Sequence, residues 1–140
     1  MFDKNEMSIL KIFSVVFLFI VGQWIYILKT GAEDPLNKLI FRLPIKLDEH
    51  CCSSWPISHF ILYGILAYMY PSKWKFIFIN GVLWEIFEYF MFLLTRGGNF
   101  NIIRTDKGTQ YDKSWWNSSR SDIVFNGAGI LLALLIKNFF

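Results

Sequence analysis

This chain is poor in the residues from which many soluble sites are built. It has only two cysteines, Cys51 and Cys52, and they are adjacent. Neighbouring cysteines rarely bridge each other, and these lack a C-x-x-C spacing, so they define neither a disulfide framework nor a redox compartment. There are only two histidines, too few for a zinc site built with so little cysteine. Charged residues make up 18%, and the net charge of +3 comes from scattered Lys and Arg. That pattern leaves no nucleic-acid footprint, and no nucleic-acid partner is expected. No repeat or low-complexity tract is present. A cleavable signal is not expected either. The run Ile12–Leu28 is longer than a usual signal core, is followed by Lys29, and lacks a small-x-small cleavage site.

What the chain has in excess is apolar surface. Hydrophobic residues make up 54% and the mean hydropathy is +0.38. This is too apolar for an ordinary soluble domain unless long runs cross a bilayer. Four runs carry the excess, at about 12–28, 57–70, 74–94 and 122–138. At 140 residues the length suits one domain. The expected fold is therefore all-α: an integral membrane bundle of four transmembrane helices with two long loops on one side.

Met1–Lys11 reads as a polar head of mixed charge. Lys29–Pro56 reads as the first long loop, with a basic, helically spaced stretch at Leu36–Leu43 suited to a membrane surface. Its Asp48-Glu49-His50-Cys51-Cys52 packs potential ligands together, but consecutive residues do not converge on one ion. Pro71-Ser72-Lys73 reads as a tight turn joining the second and third helices as an antiparallel hairpin. The second long loop runs from Thr95 to Arg120. It ends near Trp115-Trp116, which reads as an interfacial anchor. Nine of the 14 basic residues fall on the long-loop side, so the positive-inside rule favours cytoplasmic long loops.

The informative stretch is Trp84-Glu85-Ile86-Phe87-Glu88-Tyr89. It lies within the apolar run Trp74–Leu94, otherwise uncharged after Lys75. A charge at the centre of a membrane helix costs ~2.5–3.5 kcal/mol on insertion scales. Two carboxylates three residues apart lie about 60° apart on a helix and project from one face. They require a cation, a proton or a basic partner. The hairpin topology puts other polar groups at the same depth. His59 begins the second helix at the loop side, Glu88 is six residues from the end of the third, and Asp122 and Asn126 open the fourth. Three carboxylates, an amide and an imidazole suit a hard, oxygen-coordinated cation, with the histidine beside it rather than on it. Calcium fits best, with magnesium as the alternative.

The order Ser58-His59-Phe60, Trp84-Glu85-x-x-Glu88, Trp115-Trp116-Asn117-x-x-x-x-Asp122, Asn126-Gly127-x-Gly129 resembles the base-exchange phosphatidylserine synthases. The resemblance covers about residues 56–132. It implies a calcium-dependent membrane transferase that swaps a phospholipid head group for serine or a similar small amino alcohol. It also implies His59 as catalytic base and Glu85, Glu88 and Asp122 as calcium-site carboxylates. Asn126, Arg120 and Asn117 are the expected substrate-side polar groups. The implied membrane is the endoplasmic reticulum in a eukaryote and the plasma membrane in a bacterium. The chain departs from that family in several ways. It is far shorter, Asn117 replaces an acidic residue, Arg104–Lys113 looks inserted, and the outer helices are missing, so a homo-oligomer is a further expectation.

A second resemblance is to VanZ-like membrane proteins, through the His-Phe helix start and the Arg120-Ser121-Asp122-x-x-x-Asn126-Gly127 end. Glu88 stands where they carry glutamine. That resemblance implies a structural polar core without catalysis. A third reading, an ion or proton carrier, follows from paired membrane carboxylates alone.

Overall fold

The computed structural model describes residues 1–30, 54–97, 116 and 120–140. They form α1 (Lys4–Thr30), α2 (Ser54–Met69), α3 (Trp74–Gly97) and α4 (Arg120–Phe139), with no strand among the described residues. Among the described residues three helices are long and apolar enough to cross a membrane, over Lys4–Ile27, Pro71–Leu94 and Arg120–Phe139. The 16 residues of α2 extend only about 24 Å at 1.5 Å per residue, short of a hydrocarbon core of about 30 Å.

The stretch expected to be a polar head is already helix. Asp3 caps α1: its Oδ1 accepts from the N–H groups of Asn5 and Glu6, both at 2.9 Å. Glu6 Oε2 reaches back to the N–H of Asp3 at 3.0 Å. This is a reciprocal capping box, built here from two acids. It starts the helix eight residues ahead of the apolar run at Ile12. Helix α2 likewise begins before Pro56, at Ser54. A proline in the first turn is tolerated because its missing N–H would have no intrahelical partner. The turn at Pro71–Lys73 is a single 3₁₀ turn leading directly into α3.

The helices run alternately up and down. The start of α1 meets the α2/α3 turn, where Lys73 Nζ donates to Glu6 Oε1 at 3.0 Å and pairs with Asp3. At the other end Trp24 of α1 packs edge-on against Trp116. The core between them draws on every helix: Ile9 from α1, Tyr63, Leu66 and Ala67 from α2, Ile77 from α3, and Ile130 and Ala133 from α4.

Two kinds of packing hold this core. Helices α2 and α4 approach backbone to backbone. A methyl at Gly129 would overlap the carbonyl of Phe60, and one at Gly64 would sit 3.3 Å from the Gly129 carbonyl oxygen. In lipid such close approach replaces the hydrophobic drive that water would supply. Helix α1 stands further off and reaches the others through rings. Phe13 meets Tyr63, and Phe17 meets Trp84 and Phe87 edge-on.

The pairing of α2 with α4 also fixes the register of the polar residues. It brings the second turn of α2 beside the first two turns of α4.

A buried histidine and carboxylate cluster

His59, Glu85, Glu88, Asp122 and Asn126 are all buried. His59 sits in the second turn of α2, and its ring stacks at 20° on that of Tyr63 one turn later. Glu85 and Glu88 come from the middle of α3, and Asp122 and Asn126 from the first two turns of α4. One ligand atom from each of His59, Glu85 and Asp122 lies within 4.8 Å of the others. Calcium–oxygen bonds of about 2.3–2.6 Å put ligands on opposite sides of an ion at roughly 5 Å. The Glu85 and Asp122 carboxylates are therefore within reach of a single cation, with the His59 imidazole beside it.

The grouping differs from the three-carboxylate set expected from sequence. His59 joins Glu85 and Asp122, and Glu88 falls outside. Glu88 is nevertheless close enough to feel both other carboxylates and lies beside the Trp84 indole. The difference is one step of i, i+3: it keeps both glutamates on one face but moves Glu88 about 4.5 Å along the axis.

The orientation of His59 is set by Asn126. Nδ1–H donates to Asn126 Oδ1 at 3.0 Å, while Glu85 Oε1 stands 4.0 Å from the same nitrogen. A nitrogen that carries a proton toward an amide oxygen is not a metal ligand, so the lone pair of the neutral ring resides on Nε2. Asn126 is only 1% exposed, and its amide is itself hemmed in. A methyl at Gly81 would lie 2.9 Å from Asn126 Nδ2 and 2.8 Å from Tyr63 Cε1. Gly81 thus makes the room in which Asn126 and Tyr63 take their places.

Two of these residues escaped the sequence reading. Tyr63, 2% exposed, lies near Glu85, Glu88 and Asp122 together. Its signal was the i, i+4 spacing from His59. Gly81 was visible only as a glycine inside an apolar helix.

Other expectations fare differently. Arg120 is exposed at the first turn of α4, at the cluster's end of the molecule. Trp116, expected at the membrane interface, is buried at 1%. It packs against Trp24, Trp84 and Phe87, where three indoles and a phenyl ring exclude solvent better than one ring at an interface. Trp115, Asn117, the 36–43 surface stretch, the Asp48–Cys52 run, the Arg104–Lys113 insertion and most of both long loops lie outside the described residues.

Compared with known proteins, the chain matches no family model, no curated protein and no solved structure.

Proposed function

We propose that this chain is a multi-pass membrane enzyme that exchanges a phospholipid head group for serine or a similar small amino alcohol, dependent on calcium or, second, magnesium. The observation that carries the reading is the burial of His59, Glu85 and Asp122 with ligand atoms within 4.8 Å. Ionisable groups at membrane depth are costly, and they cluster where ions or polar substrates are handled. Three carboxylates gathered in a low-dielectric interior repel one another unless positive charge stands among them. Glu85 and Asp122 would hold the cation, with Glu88 adjacent. When bound, it supplies charge neutralisation at a phosphate oxygen.

The chain's own residues carry the remaining chemistry. Asn126 holds Nδ1–H of His59, leaving Nε2 to accept the proton of an incoming hydroxyl. The hydroxyl oxygen forms a new bond to phosphorus as the bond to the departing alcohol breaks. The proton passes from His59 to the leaving oxygen. One phosphodiester replaces another, with no redox change and no nucleotide. Arg120, exposed at the mouth of α4, is the phosphate-facing cation. In this reading α2 makes the fourth crossing, and outer walls of the lipid path come from further copies of the chain.

Purified protein in phospholipid vesicles, given labelled serine and calcium, tests the proposal directly. Labelled lipid should form with wild type and not with His59→Ala or Glu85→Ala. A competing reading has one observation in its favour: the His59–Asn126 bond also suits a VanZ-like structural core. Absence of exchange with any amino alcohol, across several phospholipids and cations, would decide for that core.

A further inference from the structure

The outer face of the α2/α4 seam carries a groove that the proposed reaction does not use. It encloses about 290 Å³, near the lower limit of small-molecule sites, roughly 300 Å³. Its floor is Gly64 and Gly129, where the two backbones touch, and its walls include Ile61, Ile65, Leu132 and Ile136. These four side chains are all more than 40% exposed. On α2 they lie on the face turned away from His59 and Tyr63. The groove ends at Tyr68, over whose ring the Lys137 ammonium sits 4.6 Å from the centroid.

That end of the molecule is electropositive. The described acids there, Asp3 and Glu6, are both bound by Lys73, while Lys137 and Lys75 lie over aromatic rings. Lys137 is fifteen residues beyond Asp122 on α4, about 22 Å along the helix. The groove's charged end is therefore in the opposite half of the bilayer from the carboxylate cluster. An apolar trough on a membrane-spanning helix, closed at the interface by a cation on an aromatic ring, matches one ligand in shape and charge.

We propose that this groove binds an anionic phospholipid, with an acyl chain lying along the Gly64–Gly129 floor and the phosphate against Lys137. A second copy of the chain fits less well. Copies sharing one membrane orientation would pair in parallel about a two-fold axis, bringing two Lys137 ammoniums to the same depth at one interface.

The test uses the full chain in nanodiscs of phosphatidylcholine and phosphatidylglycerol in equal parts, with lipids retained after detergent extraction measured by native mass spectrometry. Phosphatidylglycerol should be retained one per chain and enriched over the disc composition. Lys137→Gln should lower its retention about fivefold, the worth of one lysine at an anionic membrane surface. Leu132→Trp, which fills the groove from an outward-facing position, should abolish retention of either lipid while leaving the carboxylate cluster's cation response intact. Retention that mirrors the disc composition would overturn the proposal. So would enrichment unchanged by both variants, or cross-linking between two copies through cysteines placed at Leu132.

Discussion

The pattern acid-x-x-acid occurs twice in this molecule, and the two copies do opposite things. Asp3-x-x-Glu6 stands just ahead of an apolar run, partly exposed, where it caps α1 and takes Lys73 as counter-ion. Glu85-x-x-Glu88 stands inside an apolar run, with Glu85 3% and Glu88 9% exposed, beside Asp122 and His59. In both the i, i+3 spacing puts two carboxyls on one helix face. What separates them is surroundings. At a helix start in water the backbone N–H groups and a lysine satisfy the charge at little cost. In mid-helix the backbone N–H groups are already used, and the charge must be met by groups from other helices. A cluster buried under that penalty depends on its partners from other helices; a cap does not.

The largest expected contrast is in activity. Removing a positioned base costs about 10²–10⁴-fold in rate, so His59→Ala should take labelled-serine incorporation to background. Lys73→Met, at the exposed cluster, should leave the rate unchanged. Equal losses in both variants would mean that the exchange assay reports folding, not chemistry.

The next contrast is in the sign of a stability change. Replacing Glu85 by Gln removes one of three mutually repelling carboxylates. In chelator Glu85→Gln should therefore melt above wild type. Wild type should gain about 2.7 kcal/mol at calcium a hundredfold above its Kd, and Glu85→Gln should lose most of that gain and melt below it. A calcium-independent melting curve for wild type would remove the cation from the account. The equivalent change at the other cluster, Glu6→Gln, should leave the calcium gain at its wild-type size.

A smaller effect tests the space around Asn126. Gly81→Ala should cost about 1–3 kcal/mol, as overpacking of a filled site does, and should lower exchange by displacing Asn126 from His59. Gly22→Ala is the matched control, because a methyl there meets nothing within 4 Å. It should stabilise by about 0.5–1 kcal/mol through lost unfolded-state freedom. If the two variants melt alike, the contact at Gly81 does not restrain the amide.

Much of this architecture was legible because membrane helices announce themselves by long apolar runs. The hairpin at Pro71 then put His59, Glu85, Asp122 and Asn126 at one end. The helix start at Lys4 was not legible from hydropathy, since the capping box is polar and looks like a loop. It is legible instead as Asp-x-x-Glu before an apolar run, the capping-box pattern. The burial of Trp116 depended on Trp24, Trp84 and Phe87 arriving from two other helices, which no local pattern encodes. The same holds for Gly81, whose role is defined by an amide on α4. The choice of His59 over Glu88 within the closest group turned on a few ångströms of axial offset, finer than periodicity resolves.

The smallest effect concerns Asp3, where capping and charge can be separated. The Lys73 ammonium first, and then the N–H of Glu6, hold the Asp3 carboxyl below the usual carboxylate range. A carboxyl whose folded pKa is depressed adds stability that is complete above its unfolded pKa and is lost as pH falls through the folded value. Stability should therefore decline slightly on acidification below the ordinary aspartate range. Raised salt should shrink the same contribution, because the group is exposed and screened. Asp3→Asn keeps an oxygen to accept from the N–H groups of Asn5 and Glu6 but carries no charge, so it should retain the helix start and lose this part of the acid dependence. Asp3→Ala should lose both, with α1 fraying at its first turn by hydrogen exchange. None of these changes should move the calcium response of the buried cluster, since Asp3 lies at the opposite end of the molecule. A shift in that response in Asp3→Asn would show that the two clusters are coupled through α1, and the comparison between them would no longer be one of independent sites.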